Sequence, residues 1–191
     1  NLLYFNKLSS SYYVATARAK IILKGDTVHR CHLSELGFYN EAVEGRAESI
    51  LEEANEVVPI KTGILTIEST PNVRNDLFYN TYFGAKAGEN NFKAFFFPWW
   101  YALDYRIKNA DVPDKFAGDR DENIDITNEE QALMAIHQLD NDQIRWRRYK
   151  IREQGKKFWR QHPEDDTFCW MNPEEMVFDK EAIDRLMRLR L

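Results

Sequence analysis

The stretch Ile64-Leu65-Thr66-Ile67-Glu68-Ser69-Thr70-Pro71-Asn72 decides the fold that this sequence predicts. Its first four residues are apolar or β-branched, as in a buried strand, and its last four are small polar residues and proline, as in a turn. An apolar strand that ends in a polar turn is typical of the carboxyl edge of an open α/β sheet, where such folds build their ligand sites. Residues 64–67 are therefore predicted to form a strand with a functional tip.

A second strand and a helix precede that stretch. Residues 28–33 are predicted to form a strand that ends in the polar pair Ser34 and Glu35. Asn40 is predicted to cap a helix over residues 41–57, in which apolar side chains recur at the helical spacing of about 3.6 residues. A strand, an amphipathic helix and another strand form a βαβ unit, so the two strands should be parallel and their connection right-handed.

The βαβ geometry should bring Glu35 close to Ser69 and Thr70, because the carboxyl ends of parallel strands meet at one edge of a sheet. An acidic side chain at the end of a buried strand can polarise a water molecule held against the γ-phosphate of a nucleotide. A neighbouring hydroxyl, here that of Ser34, can join the coordination sphere of Mg²⁺ through water. The alternative is that Glu35 begins an ordinary loop and faces solvent.

The turn at residues 69–72 also has two interpretations. Small hydroxyls and the Asn72 amide can detect a phosphate by hydrogen bonding, and Pro71 makes the turn rigid. All four residue types are equally common in turns without a function. The position beside Glu35 is what makes Ser69, Thr70 and Asn72 candidate nucleotide contacts.

The rest of the chain is predicted to contain further strands and helices. In chain order these are a strand over residues 11–17, a helix over 75–87, a strand over 92–97 closed by Pro98, a connector over 107–125, a helix from the Thr127 to Glu130 capping box through Leu139, a helix from Asn141 or Asp142 past Arg152, a loop over 161–178 and a helix from Asp179 to Leu191. An α/β first part should therefore be followed by a mostly helical part.

The composition limits the class of protein. With 191 residues, of which 43% are hydrophobic and 30% charged, the chain suits one domain or one domain with an appended subdomain. No apolar run approaches the roughly 18 residues of a membrane span, and residues 1–5 lack the basic start of a signal peptide. The net charge of −5 argues against nonspecific nucleic-acid binding over the whole surface.

Cysteine and histidine give no sign of a disulfide framework or a metal site. Cys31 and Cys169 are too few for a disulfide scaffold and are interpreted as reduced structural residues. His29 and His32 are expected on opposite faces of a strand, so they cannot share a metal ion. No metal site is therefore expected from these side chains.

One dense basic segment covers residues 145–160. As a helix it would present cations on several faces and could contact DNA phosphates, with Arg145, Arg147, Arg148 and Lys157 as the candidates. The alternative is a solvated helix whose aromatic side chains pack on acidic parts of the protein. Acidic residues around the segment, such as Glu153, favour that alternative.

A phosphate-binding loop of the Walker A type, Gly-x-x-x-x-Gly-Lys followed by Ser or Thr, is missing from the sequence. Gly155-Lys156-Lys157 contains the only Gly-Lys pair, and it lacks both the first glycine and the hydroxyl residue. Because the backbone of that loop cradles the phosphates, this chain alone is not expected to bind a nucleotide tightly or to hydrolyse it.

Several stretches, taken in order, match one protein family. They are YVATARA at residues 13–19, GDT at 25–27, HLSELGFY at 32–39, ESTPN at 68–72, LFY at 77–79, FFPWW at 96–100, WRR at 146–148, FWRQ at 158–161 and PED at 163–165. This order resembles the large subunit of tailed-bacteriophage terminases, the ATPase that drives DNA into an empty capsid. Residues 32–39 look like the run past its Walker B strand, and residues 68–72 resemble its ATPase coupling motif.

The resemblance implies an α/β fold. Residues 1–106 would be the second half of the ATPase domain, a partial RecA-like parallel sheet of the P-loop NTPase type with flanking helices. Residues 107–191 would be a connector and a small, mostly helical linker subdomain. The Walker A half and the RNase H-like nuclease domain of that family would lie outside these residues.

The resemblance also implies roles for individual residues. Glu35 would be the catalytic glutamate and Ser34 the magnesium-side position, while Thr70 and Asn72 would couple hydrolysis to movement. Ser34 departs from the aspartate that is common at that place in related motors. Val73 stands where glycine is expected after Thr-Pro-Asn.

The cofactors implied by the resemblance are ATP and Mg²⁺. The implied partners are double-stranded DNA, a portal protein and a small terminase subunit, with a homo-oligomeric ring on the capsid, no membrane, and a location in the cytoplasm of the bacterial host. Two alternatives stay open. One is a non-catalytic DNA- or portal-binding module, and the other is a helicase-like motor ATPase.

Overall fold

The computed structural model describes residues 2–19, 27–41, 43–120 and 124–170. The chain divides into two compact units, Asn1–Ala94 and Phe95–Leu191. The domain boundary predicted between residues 106 and 107 lies within the second of these units. Helices and strands are both present, so the mixed class predicted from the sequence is confirmed.

An antiparallel hairpin opens the first unit. β1 (Leu2–Phe5) pairs with β2 (Ser10–Tyr13), and the short 3-10 helix Asn6–Leu8 joins them. β2 takes up the start of the strand predicted over residues 11–17. Every side chain of both strands is exposed, so the hairpin adds nothing to the buried core.

A βαβ unit forms the centre of the first unit. β3 (Arg30–Ser34) and β4 (Ile64–Glu68) are parallel neighbours, and α1 (Arg46–Val57) lies between them in the chain. The register places Ser34 opposite Glu68. The predicted parallel pair is therefore confirmed, and both strands end at the same edge of the sheet.

The core of the first unit lies on one face of β3. Cys31 and Leu33 are buried while their neighbours along the strand are exposed, which is the period of two that a one-sided strand requires. The helix contributes Ala47, Ile50 and Ala54, each at most 2% exposed. Two of these three residues are alanines, and their small side chains let the helix backbone approach the sheet closely.

The start of α1 differs from the prediction. The helix begins at Arg46 rather than at Glu41, because Gly45 has φ of 73° and a left-handed residue cannot continue an α-helix. The 3-10 helix Leu36–Glu41 ends where the helix was predicted to begin. The N-cap residue of α1 is Gly45 and not the predicted Asn40, although Asn40 Oδ1 accepts a hydrogen bond from the Ala47 amide in the first turn at 2.7 Å.

The second helix of this unit follows the prediction closely. α2 (Leu77–Ala87) begins after Asp76, whose Oδ1 accepts a hydrogen bond from the Tyr79 amide at 2.7 Å. Gly88, with φ of 74°, ends it in the left-handed conformation that glycine adopts without strain.

The strand predicted over residues 92–97 is wrong. These residues form no ladder with any other part of the chain that the structure describes, although their side chains alternate between half-buried and exposed. Alternation and aromatic content are the properties of a strand, but a strand also needs a neighbour for its backbone hydrogen bonds. Phe95 and Phe97 are left 61% and 70% exposed.

The second unit is helical. Its α-helices are α3 (Asn128–His137), α4 (Asn141–Gln154) and α5 (Phe158–Gln161), and its 3-10 helices are Trp99–Tyr101, Asn109–Asp111, Asp114–Asp119, Gly155–Lys157 and Phe168–Trp170. Two of the 3-10 helices fall in the predicted connector, which contains neither strand nor α-helix among its described residues. The last predicted helix, residues 179–191, lies outside the described residues.

Capping boxes begin α3 and α4. The Thr127 hydroxyl accepts a hydrogen bond from the Glu130 amide at 3.3 Å, and the Glu130 carboxylate accepts one from the Thr127 amide at 3.0 Å. Asp140 and Gln143 exchange the same two bonds at the start of α4. The predicted box is confirmed, although α3 stops at His137 because Gln138 has φ of 56°.

The core of the second unit is built on Trp146 of α4. Its ring stacks on Tyr105 with centroids 4.2 Å apart and on Trp99 with centroids 5.0 Å apart. His162 meets it edge-on at 5.0 Å. Offset aromatic pairs of this kind contribute about 0.5–1.5 kcal/mol each beyond the burial of their area, so this cluster anchors the unit.

Both cysteines are buried free thiols. Burial raises the pKa of the Cys31 thiol. Burial, together with Asp165 and Asp166, raises the pKa of the Cys169 thiol to about 12. Neither thiol is therefore an activated nucleophile.

Within the described part of the chain, the helices are all too short or too polar to cross a membrane.

Candidate functional site

Glu35 follows β3 directly and leaves the strand in an unusual conformation. Its φ is 60°, in the left-handed region, which costs a residue with a side chain about 1–2 kcal/mol. Such a conformation persists where surrounding interactions hold it. The interactions that hold Glu35 come from the tip of β4.

Three hydrogen bonds join Glu35 to the residues after β4. Its Oε2 lies 3.2 Å from Ser69 Oγ, 3.2 Å from the Thr70 amide nitrogen and 3.2 Å from Thr70 Oγ1. The predicted proximity of these residues is therefore confirmed, and Glu35 faces solvent as well, as the alternative expected. The Glu35 and Thr70 side chains are both exposed.

Ser69 and Asn72 bind the backbone of the segment after Glu35. Ser69 Oγ accepts a hydrogen bond from the Gly37 amide at 3.2 Å, and Asn72 Nδ2 donates one to the Gly37 carbonyl at 2.9 Å. Asn72 Nδ2 also lies 3.2 Å from Glu41 Oε1. The two loops that follow β3 and β4 are thereby fastened to each other.

Gly37 is part of the site for a steric reason that sequence reasoning missed. A Cβ on Gly37 would lie 3.0 Å from Ser69 Oγ and 3.5 Å from Asn72 Cβ. A larger residue would press on the Ser69 hydroxyl, so glycine supplies space here and not an unusual φ. The signal in the sequence was a glycine two residues after the acidic residue at a strand tip.

Ser34 lies on the exposed face of β3, opposite Glu68 in the ladder. Glu68 itself pairs with His32, with 3.4 Å between His32 Nε2 and Glu68 Oε1. The tip of β3 thus offers the hydroxyl of Ser34 and the carboxylate of Glu35. Across the described residues, no group of three or more histidine, cysteine, aspartate or glutamate side chains could hold a metal ion.

The basic segment is placed differently from a DNA-binding surface. Arg147 is 4% exposed, and its guanidinium donates to Glu164 at 2.6 Å and to Glu129 at 2.8 Å. It also lies over the ring of Trp159, 5.2 Å from the centroid. Burial alone would lower the pKa of Arg147, but the two carboxylates outweigh it and raise that pKa.

Arg145 and Arg148 are also held inside the second unit. Arg145 is 4% exposed and donates to Asp142 at 2.7 Å and to the Asp119 carbonyl at 3.1 Å. Arg148 donates to both Glu130 carboxylate oxygens, at 2.7 and 2.6 Å, and to Asp119 at 3.2 Å. Both guanidiniums therefore have carboxylate partners within the second unit.

Asp119 is the centre of this ion-pair network, and sequence reasoning missed it. Burial would raise the pKa of its carboxyl, but hydrogen bonds from Arg152 and Arg148 outweigh burial and lower that pKa. Glu130 is similar. Burial acts to raise the pKa of its carboxyl, but the hydrogen bonds from Arg148 and the Thr127 amide outweigh burial, so the pKa is lowered. Asp119 sits in a polar stretch that looks like a solvated connector, so only the fold reveals its role.

Lys157 differs from the three arginines because its side chain is exposed, in the 3-10 helix Gly155–Lys157. Of the four candidate DNA contacts, it is the one that the fold leaves on the surface without enclosing it among carboxylates.

Chemically, the tips of β3 and β4 combine an acceptor and donors. Glu35 supplies a carboxylate that can orient water, and Ser69, Thr70 and Asn72 supply hydroxyl and amide donors that can bind an oxyanion. A scan against protein-family models, a search of curated proteins and a search of solved structures found no match to this chain.

Proposed function

We propose that this chain is the carboxyl-side half of the ATPase domain, together with the linker, of a motor similar to the terminase large subunit. The complete protein would hydrolyse ATP with Mg²⁺ and move double-stranded DNA into a capsid, in a homo-oligomeric ring that binds a portal protein and a small subunit. The observation that carries the proposal is the contact of Glu35 with Ser69 and Thr70 across two parallel strands.

The residues at the ends of β3 and β4 would have different roles in ATP hydrolysis. Glu35 would orient the water that attacks the γ-phosphate, a role that needs a carboxylate at the end of a strand. Ser69, Thr70 and Asn72 would detect whether that phosphate is present. Mg²⁺ would be held chiefly by phosphate oxygens and water, with Ser34 as an outer ligand, because the site offers no cluster of carboxylates.

The site is connected to both helices of its unit, which supports a coupling role. Asn72 is bonded to Gly37 and Glu41 in the 3-10 helix after β3, and Asn40 of that helix accepts a hydrogen bond from the Ala47 amide in the first turn of α1. Asp76, which caps α2, also accepts a hydrogen bond from the Val73 amide at 3.3 Å. A change at Asn72 therefore has a hydrogen-bonded route to the starts of both helices.

In the proposed architecture, the two parallel strands belong to a RecA-like sheet whose other strands lie upstream. The second unit would be the linker that leads to a nuclease domain. The alternative of a non-catalytic DNA-binding module loses support, since its three arginines are engaged with Asp142, Glu164 and other carboxylates of the same unit.

The test is to extend the protein upstream along its coding sequence and measure ATP hydrolysis with and without double-stranded DNA. We expect a Walker A segment upstream and Mg²⁺-dependent ATP hydrolysis that DNA stimulates. The 191-residue chain alone is the matched control and should not hydrolyse ATP. An upstream region without a phosphate-binding loop, or an extended protein without ATPase activity, would refute the proposal.

A further inference from the structure

The hydrogen-bond donors at the tip of β4 already have an anionic partner. Ser69 Oγ, the Thr70 amide and Thr70 Oγ1 all point at one atom, Oε2 of Glu35, each at 3.2 Å. A backbone amide and two hydroxyls that converge on one charged oxygen are the donor set that proteins use to bind oxyanions.

We propose that the tip of β4 is an oxyanion site, that Glu35 fills it when no ligand is bound, and that a phosphoryl group displaces Glu35 from it. The displaced carboxylate becomes available to orient water, a consequence that rests on the proposed function. Glu35 would then be withheld from chemistry until a phosphate takes its place on Ser69 and Thr70.

The local structure allows this exchange. Glu35 and Thr70 are exposed, so a ligand can reach the donors without opening the core. Ser69 has one hydroxyl proton and two acceptors, Glu35 Oε2 at 3.2 Å and the Thr70 carbonyl at 2.8 Å. That proton can change partner while Ser69 Oγ still accepts from the Gly37 amide.

The strained backbone of Glu35 favours release. A left-handed φ of 60° at a residue with a side chain is unfavourable, and the bonds to Ser69 and Thr70 hold it in place. A ligand that takes over those donors removes what holds the conformation. The carboxylates of Glu41 and Glu68 stay engaged with Asn72 and His32, so they do not compete for the same donors.

The test is a titration of the 191-residue chain with inorganic phosphate and, in parallel, with metal-free ATP, both at constant ionic strength. The readout is the amide chemical shifts of Ser69 and Thr70. Four proteins are compared: the wild type, Glu35→Ala, Glu35→Gln and the control Glu52→Ala. The control removes an exposed carboxylate of α1, outside residues 68–72.

We expect Glu35→Ala to bind phosphate at least about tenfold more tightly than the wild type, because an internal occupant that fills a site about 90% of the time lowers the apparent affinity by that factor. Glu35→Gln should gain less, since its amide oxygen still accepts hydrogen bonds. Glu52→Ala should bind like the wild type. A response to phosphate alone, or to ATP alone, supports the site and identifies which source of phosphate it accepts.

Three results would overturn the inference. They are equal affinity in the wild type and Glu35→Ala, equal gains in Glu35→Ala and Glu35→Gln, and an unchanged response when Thr70→Val is added to Glu35→Ala. The second result would mean that charge repulsion, and not occupancy, excludes phosphate. Because the titration needs no catalysis, it can fail while ATP hydrolysis by the extended protein succeeds, and the reverse.

Discussion

At the scale of single residues, the contact of Glu35 with Thr70 depends on very local features. Topology alone predicted that the two residues would be neighbours, since parallel strands bring their carboxyl ends together. The left-handed φ of Glu35 and the role of Gly37 could not be predicted in this way. Both depend on the path of the 3-10 helix Leu36–Glu41. The spacing of apolar residues, which predicted an α-helix from residue 41, gives no sign of that 3-10 helix.

Replacing Gly37 with alanine should destabilise the first unit. The new Cβ would lie 3.0 Å from Ser69 Oγ, so Ser69 must move, at a cost of about 1 kcal/mol. Gly118→Ala is the matched control, because a Cβ there would meet nothing within 4 Å and the φ of Gly118 is not positive. Hydrogen exchange of the Thr70 amide and thermal unfolding measure the effect. Equal stability of the two variants would contradict this steric account.

His162 should make the second unit less stable in mild acid. Burial, with a smaller effect of Lys150, lowers the pKa of His162 below its ordinary value, although Glu153 opposes this. The unfolded chain then binds the proton first, so stability is complete above about pH 6.5 and falls as the pH drops through that value.

The measurement is urea unfolding between pH 5 and pH 7.5, followed by tryptophan fluorescence. All five tryptophans belong to the second unit, so the signal reports that unit. His162→Phe keeps a ring against Trp146 and Phe158 and should flatten the dependence on pH. A wild-type profile without a decrease below pH 6.5 would contradict the assignment.

At the scale of elements, local signals predicted where most elements lie but not where they begin or end. The Thr127 capping box was recognisable because its two partners lie three residues apart in the sequence. The start of α1 was not, since Gly45 is its N-cap and Asn40 bonds the Ala47 amide seven residues away. The failure over residues 92–97 has a different cause. A β-strand needs a neighbouring strand for its backbone hydrogen bonds, and the described residues contain no strand that pairs with this segment.

Ile50 should show how much α1 contributes to the first unit. It is 1% exposed and belongs to the core cluster with Leu33, so Ile50→Ala should cost about 2–5 kcal/mol. Ile60→Ala is the same chemical change at a residue that is 99% exposed and should cost less than about 0.5 kcal/mol. Hydrogen exchange of the β3 and β4 amides reports on this unit. Similar losses in both variants would contradict the core assignment.

At the scale of the whole molecule, the chain combines a small α/β unit that carries the candidate site with a helical unit held by aromatic and ionic contacts. The spacing of apolar residues and the turn and cap residues predicted an α/β first part followed by a mostly helical part. The ion-pair network was not predictable in detail, because its carboxylates at Asp119, Glu130 and Glu164 come from three separate segments. Only tertiary folding brings them to one helix.

Arg147 should therefore matter for stability rather than for DNA binding. The Arg147 and Glu164 side chains are each 5% exposed, and removing one partner of such a pair costs about 3–5 kcal/mol. Lys157→Ala, at an exposed site, should leave stability unchanged. Tryptophan-detected unfolding measures stability, and fluorescence anisotropy measures DNA binding. An Arg147→Ala variant that folds like the wild type and loses DNA binding would reverse this assignment.

The turnover of Glu35→Gln in the upstream-extended protein tests most directly the proposal that Glu35 activates water in an ATP-hydrolysing motor. We expect ATP hydrolysis to fall by about 100-fold or more while ATP binding stays within about threefold of the wild type, because a group that acts on the attacking water contributes to the transition state and little to binding. Glu52→Gln, at an exposed position of α1, should keep normal turnover. Hydrolysis at the wild-type rate in Glu35→Gln would contradict the claim.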